Sequence, residues 1–396
     1  MEQIPLFKVF MAPTAKEEVG KVLDSGYIGQ GPKVNEFEKH LGEYFGNDKI
    51  VTLNAGTSAL HLALHLLKRP KPEWLKNQYE GVVFTEHHWP GIEDGDEVLA
   101  SPLTCTASNW PILANNLKIK WVDIDPTTLN MDLKDLEKKM TPKTKAIMGV
   151  HWGGYPLDLD EIKAIQKRFR DKHGWAPALI EDGAHSFGTK YKGKYLGNHG
   201  NFVMNSLQAI KHITSVDGGL LYCPHDELYE RAKLLRWYGI DRSPKGRTDF
   251  RCEADIPEWG FKFHMNDVCA AVGIENFKHM DELVSKHKDN AAYYDKHLKN
   301  VDGVTLLNRE EGFESAFWIY SILVDDRVGF YEHMKNCNIT VSQVHERNDK
   351  HSCMSEFKSE LPNLESTIGK VVSIPVGWWV TKEQREYIVD CIKRGW

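Results

Sequence analysis

No apolar run in these 396 residues approaches the roughly 20 needed to cross a bilayer. Charge of one sign is equally scarce, with 50 Lys+Arg against 56 Asp+Glu and a formal net charge of −6. That excludes the broad basic field a nucleic-acid binder presents, so any anion site must be local. Cysteines are few and odd in number, seven in all (Cys105, Cys223, Cys252, Cys269, Cys337, Cys353 and Cys391), and no two form a Cys-x-x-Cys pair. A disulfide framework and a zinc knuckle are both disfavoured. Histidine is plentiful at 18, but its nearest approaches to a cluster, His87-His88 and the stretch from His345 to His351, match no metal-ligand spacing, and no metal site is expected. Internal repeats and low-complexity tracts are missing. The stretch Met1-Glu2-Gln3-Ile4-Pro5-Leu6 has no signal-peptide h-region, and a soluble cytoplasmic protein is the expectation.

What is present is a large amount of core material, 41% hydrophobic residues in a chain long enough to divide into more than one domain. From about Lys49 to Tyr222, short apolar runs alternate with helical patterns. Val98-Leu99-Ala100, Lys120-Trp121-Val122, Ala146 to Val150, Ala178-Leu179-Ile180, Phe202-Val203-Met204 and Gly219 to Tyr222 read as strands. Leu159, Ile162, Ile165 and Phe169 mark an amphipathic helix. This is the pattern of an α/β protein whose mainly parallel sheet is covered on both faces. A stretch rich in Lys, Pro, Trp and Glu from about residue 68 to 91 reads as a surface insertion. Beyond about Arg251 the spacing of Val268, Ala271, Ile274, Phe277, Met280 and Val284 predicts one long helix, Asn266 to Asn300, followed by a smaller α+β region with a strand over Phe317 to Val324. The division expected is 1–250 and 251–396.

Two strand ends carry chemistry. Ala178-Leu179-Ile180 runs into Glu181-Asp182-Gly183-Ala184-His185-Ser186, placing a carboxylate and an imidazole where open α/β sheets build their sites. Phe202-Val203-Met204 leads to Asn205-Ser206 and on to Lys211, a lysine in a turn-rich loop closed by Asp217-Gly218-Gly219. A lysine that holds pyridoxal phosphate as a Schiff base, and a carboxylate that keeps the pyridine nitrogen protonated, would need such a pair. The ordinary alternative is a surface lysine and a helix-capping aspartate. A third segment, Asn54-Ala55-Gly56-Thr57-Ser58-Ala59-Leu60, opens an apolar helix with glycine and two hydroxyls, suited to a phosphate. A plain N-cap by Thr57 or Ser58 would account for it equally.

In this order and spacing the segments resemble the DegT/DnrJ/EryC1/StrS family of sugar aminotransferases, along nearly the whole chain. The resemblance begins at Leu23-Asp24-Ser25-Gly26-Tyr27-Ile28-Gly29-Gln30-Gly31-Pro32, passes through Gly95-Asp96-Glu97-Val98, Val122-Asp123-Ile124-Asp125 and Thr141-Pro142-Lys143-Thr144-Lys145-Ala146-Ile147, and ends at Gly260-Phe261-Lys262-Phe263-His264-Met265-Asn266-Asp267. It implies a fold-type I pyridoxal-phosphate-dependent transferase with a mainly parallel seven-stranded sheet and a smaller C-terminal α+β domain. By resemblance Lys211 is the cofactor lysine and proton carrier, Asp182 the pyridinium partner, and His185 the contact to the phenolic oxygen. Gly56, Thr57, Ser58 and Ser206 look like phosphate ligands. The family's dimer partner supplies a phosphate contact from the segment matched here by 260–265, where Lys262 stands in place of the usual asparagine; a lysine can also bind phosphate as a point charge. Cys105 replaces a ring-stacking aromatic, and Gln208 a frequent histidine.

The resemblance further implies two half-reactions. L-glutamate leaves its nitrogen on the cofactor as pyridoxamine phosphate and departs as 2-oxoglutarate; the amine then passes to a nucleotide-linked 4-keto-6-deoxy sugar, giving a perosamine- or viosamine-type product in a homodimer. The polar stretch Val344 to His351 is the candidate for substrate contact, with His345 for sugar hydroxyls and Arg347 for a carboxylate or diphosphate; a solvated loop is the ordinary alternative. A 3-keto-sugar aminotransferase, a pyridoxamine-dependent dehydratase and a non-catalytic sensor on the same fold are the other readings. Dehydratases of this scaffold replace the lysine with histidine, so Lys211 favours transamination, with His212 next to it a warning about register.

Overall fold

The computed structural model describes residues 2–69, 89–242 and 255–396. Its centre is a seven-stranded sheet built from β1 (Ile50–Leu53), β2 (Glu97–Ala100), β3 (Lys118–Trp121), β4 (Thr144–Val150), β5 (Ala178–Asp182), β6 (Phe202–Ser206) and β7 (Gly219–Tyr222), in the order β1-β7-β6-β5-β4-β2-β3. The pairs β3/β2, β2/β4, β4/β5 and β5/β6 are parallel. Only β7 runs against the rest, between β6 and β1. Central strands are buried along nearly their whole length, and the sheet separates two hydrophobic clusters, one including Leu60, Ala63, Val98 and Ile180, the other Phe37, Leu99, Ile147 and Leu179. Burial on both faces explains why these strands read as continuous apolar runs.

Because β1, β2, β4, β5 and β6 share one direction, the segments after them all emerge at the same sheet edge. Those segments begin with Asn54, Ser101, His151, Gly183 and Leu207, and they carry the chemistry.

Helices α1 (Ala15–Ser25), α2 (Pro32–Phe45), α3 (Gly56–Leu66), α4 (Thr106–Ala114) and α5 (Leu159–His173) flank the sheet. The predicted amphipathic helix appears as α5, started by Asp158, whose side chain accepts from Asp160 N and Glu161 N, and stopped at Gly174 with φ 82°. The long helix expected over 266–300 is instead two: α6 (Asp267–Phe277) and α7 (Met280–Leu298), broken at Lys278–His279. The buried Asp267 at the start of α6 also caps α2, accepting from Gly31 N (2.7 Å), Lys33 N (3.1 Å) and Val34 N (3.1 Å). A Cβ at Gly31 would sit 2.7 Å from that carboxylate, so glycine is required there. Two segments singled out in the sequence, 23–32 and 260–267, therefore meet in space.

A second sheet, β8 (Val304–Leu306), β9 (Tyr320–Val324) and β10 (Val371–Ile374), is antiparallel and packs with α7 over a third cluster containing Tyr294, Ile322 and Ile392. The strand expected from Phe317 starts at Tyr320, because Phe317 has a left-handed φ of 52°. The expected border at 250/251 and most of the 68–91 insertion, with His87 and His88, lie outside the described residues. The flanks of the insertion are pinned together, Arg69 Nε donating to Trp89 O (3.1 Å) and Trp89 Nε1 to Leu67 O (3.3 Å). Among the described residues no helix is long and apolar enough to cross a membrane.

Candidate active site

Asp182 ends β5 as a buried residue and is held from two directions. Its Oδ1 accepts from Ala184 N at 3.0 Å, and its Oδ2 from the Ser108 hydroxyl of α4 at 2.5 Å, with Thr104 Oγ1 2.7 Å from Ser108 Oγ behind it. Ser108 escapes sequence reasoning, since a serine early in a helix is common. Gly183 is forced by contact: a Cβ would meet Met204 O at 2.6 Å and Asn205 Nδ2 at 2.8 Å.

Lys211 lies in the loop after β6, half-buried, with its ammonium 3.5 Å from the centre of the Trp318 ring. Burial pushes the amine down to about 8, opposed by the Asp182 carboxylate and then by Cys105, both of which favour its charged form. Cys105 sits at the start of α4 as the residue before its first turn.

His185 is buried beside them. Gly153 N donates to its Nδ1 at 3.3 Å, which places the ring proton on Nε2, and Nε2 faces His345 Nε2 at 3.3 Å. The two imidazoles are parallel within 4°, and Trp318 stacks on His185 at 4.1 Å. Both rings are kept neutral: His185 is held well below its ordinary value by burial and then by Lys211, and His345 is pushed down to about 3 by the same two causes. The structure therefore places His345 against His185. Behind the pair, Trp152 presents its edge to both histidines and donates from Nε1 to Ser321 Oγ on β9 (3.1 Å), linking the small sheet to the site.

Arg347 is not brought there as an anion clamp. Its buried fork is closed on Asp349 (Nε to Oδ1 2.7 Å, Nη2 to Oδ2 2.6 Å), and Nη1 pairs with Glu365 at 2.6 Å. The sequence shows a guanidinium but not the carboxylates that fill it. Its segment docks on the loop before Cys105: Asn348 N donates to Pro102 O (2.8 Å) and Asn348 Nδ2 to Thr104 O (2.6 Å). Arg347→Ala is expected to lower stability by on the order of 2–4 kcal/mol in thermal unfolding, as an opened buried ion pair does, with substrate KM little changed. A raised KM at unchanged stability would restore the clamp.

Helix α3 begins beside this cluster. Its first-turn cap position is Ala55, and no side chain caps it, so Thr57 and Ser58 are not the N-cap. Thr57 is exposed, Ser58 half-buried and Ser206 buried. A Cβ on Gly56 would lie 3.3 Å from Ser206 Cβ and 2.9 Å from Met204 Sδ, which joins the α3 N-terminus and the end of β6 in one wall. An uncapped helix N-terminus, flanking hydroxyls, a desolvated amine and an anchored carboxylate fit a phosphorylated pyridine aldehyde. Lys262 is exposed, its ammonium 3.9 Å from the centre of the Trp237 ring, while its segment pairs with the link between β1 and α3 through Asn54 N to Phe263 O (2.7 Å). Gln208 is exposed, and Ile210 N donates to its Oε1 at 3.0 Å.

This sheet, with its site on the edge shared by the parallel strands, is the architecture of fold-type I pyridoxal-phosphate-dependent transferases. The family model described as the DegT/DnrJ/EryC1/StrS aminotransferase family matches residues 11–73 and 83–393, and the chain belongs to that family and is an enzyme of it. Among solved structures it is similar to AtS13 from Actinomadura melliaura, at 46% identity and a TM-score of 0.91 over 100% of both chains. It is also similar to the sugar aminotransferase CalS13 from Micromonospora echinospora, at 42% identity and a TM-score of 0.90 over 99% of this chain and 100% of that one. Among curated proteins, the UDP-4-amino-4-deoxy-L-arabinose–oxoglutarate aminotransferase of Shewanella sediminis (strain HAW-EB3) is 28% identical, over 95% of this chain and 93% of its own.

Proposed function

We propose that the protein is a cytoplasmic, pyridoxal-phosphate-dependent aminotransferase that moves nitrogen from L-glutamate to a nucleotide-linked 4-keto-6-deoxy sugar, yielding a perosamine- or viosamine-type product. The observation that carries the reading is the placement of Asp182 at the end of β5 and of the buried Lys211 amine in the loop after its parallel neighbour β6, within electrostatic reach of each other at one sheet edge. The printed name of the Shewanella relative, which pairs oxoglutarate with a 4-amino-4-deoxy sugar nucleotide, supports the donor pair and the position of amination.

When bound, pyridoxal phosphate supplies a ring that accepts the electrons left at a carbon losing its proton. Asp182, held by Ser108 and Ala184, keeps a proton on the ring nitrogen. Lys211 would hold the cofactor and serve as the proton carrier; its value of about 8 lies near neutrality, where a base both takes and returns a proton. His185, whose Nε2 faces His345, is the ring that would contact the phenolic oxygen. Gly56, Thr57, Ser58 and Ser206 would hold the phosphate, Cys105 would pack softly against the ring, and Lys262 would serve the partner's phosphate in a homodimer. Exposed Tyr27, Ile28 and Trp259 supply apolar surface for that dimer.

His212 does not compete with Lys211 for the lysine's place, since its Nε2 donates to Ala316 O at 2.9 Å, away from the carboxylate. That favours transamination over dehydration. The test is an absorbance spectrum of the purified protein with pyridoxal phosphate: a near-visible band is expected, shifting on addition of L-glutamate with release of 2-oxoglutarate, after which a panel of keto-sugar nucleotides identifies the acceptor. A wild-type protein that shows no band sinks the reading. The same preparation should sediment as a dimer; a fully active monomer would contradict the shared site.

A further inference from the structure

Two buried histidines lie behind Lys211 and take no part in the proposed transamination. The rings of His212 and His287 are 4.7 Å apart, and each donates to a carbonyl of the same turn: His212 Nε2 to Ala316 O at 2.9 Å, His287 Nδ1 to Phe317 O at 2.8 Å. A carbonyl only accepts, so these nitrogens carry the protons. Burial keeps both rings neutral, pushing His287 down to about 4 and holding His212 well below its ordinary value. Their other nitrogens, His212 Nδ1 and His287 Nε2, are buried with no hydrogen-bond partner among the described residues. Orphaned acceptors cost stability and call for an explanation.

The turn they grip is strained, with Phe317 at φ 52°, a left-handed conformation in which a bulky side chain is rarely found. It is fixed further by Ala316 N donating to Thr189 Oγ1 at 3.1 Å. What it delivers is Trp318. The indole Nε1 donates to the carbonyl of Ile210, the residue before Lys211, at 2.8 Å. Its ring stacks on Phe7 (5.1 Å) and on His185 (4.1 Å), and Lys211 Nζ lies 3.5 Å from its centre.

We propose that Trp318 is a positioning residue whose ring face receives the Lys211 ammonium, and that His212 and His287 are the paired clasp holding the turn that aims it. The proposal rests on the reading of Lys211 as the reactive amine. A lysine that exchanges its hold on a cofactor for proton transfer must be parked within reach while free. A carboxylate in direct contact would lock it charged; an aromatic face in a dry site attracts the cation without taking its proton. The other groups facing the amine are Asp182 and Cys105, which favour its charge, and His185, His345 and His212, which are held neutral beside it.

The test uses cofactor-free protein labelled with trinitrobenzenesulfonate across pH, with the Lys211 peptide read by mass spectrometry. In the wild type the labelling midpoint should lie near 8. Trp318→Leu should lower it by on the order of one pH unit, so that Lys211 labels several-fold faster at pH 6.5, and Trp318→Phe should fall between the two. His287→Leu should move the midpoint in the same direction, whereas His287→Asn, whose amide nitrogen stands where Nδ1 does, should restore the wild-type value. A midpoint that is unchanged or raised in folded Trp318→Leu, or a His287→Asn protein that behaves like His287→Leu, overturns the proposal, as does a loss of thermal stability with no movement of the midpoint. Failure of the cofactor reading shows separately, as the missing near-visible band in the wild type.

Discussion

Asp182→Asn should lower aminotransferase turnover by roughly 10²–10⁴-fold while leaving the protein folded. The amide keeps the shape of the carboxylate and still accepts from Ala184 N, now 3.0 Å away, but it brings no negative charge to the ring nitrogen. Ser108, whose hydroxyl is 2.5 Å from Oδ2, can turn to accept from the new amide, so the cost to the fold should stay near that of one exchanged hydrogen bond, about 1 kcal/mol. The substitution also removes the charge that favours the Lys211 ammonium, so that amine should titrate below about 8. Steady-state rates with L-glutamate and circular dichroism check both halves. Turnover near that of the wild type would remove Asp182 from the mechanism.

Lys211→Met should abolish both the near-visible band and turnover, and yet stabilise the cofactor-free protein. The amine is shifted from 10.5 down to about 8 by burial, so folding must desolvate a charge. That penalty is present in full below pH 8 and fades as pH rises from 8 to 10.5, where the unfolded chain loses its proton as well. With part of the cost offset by the Trp318 face, the gain at pH 7 should be on the order of 2–3 kcal/mol, vanishing toward pH 10.5. Differential scanning calorimetry of the two cofactor-free proteins at pH 7 and pH 10.5 measures it. Equal stability at pH 7 would mean that the amine is not desolvated.

Much of the fold and site was legible in the residue order, for a definite reason. A parallel sheet buried on both faces demands apolar runs, and Val98-Leu99-Ala100, Ala146 to Val150 and Phe202-Val203-Met204 fall inside β2, β4 and β6. Each strand gives way to a short polar segment, and the chemistry there, Asp182, His185, Ser206 and Lys211, stands out against the apolar background. The break between α6 and α7 was hidden because Val268 to Val284 keep helical spacing across it. The pairing of Arg347 was hidden for a related reason: a side chain's type is visible in a sequence, its partners are not.

Strand order and the single antiparallel β7 are not written in local pattern. Residue type and spacing determined the α/β class, the strand-end residues and the resemblance to an aminotransferase. The three-dimensional fold alone decided that Ser108 anchors Asp182, that Trp318 crosses from the C-terminal region to lie against Lys211, and that Asp349 and Glu365 occupy Arg347. Such contacts join positions up to 107 residues apart, as for Lys211 and Trp318. They arise when separate elements pack, and no periodicity along the chain records them.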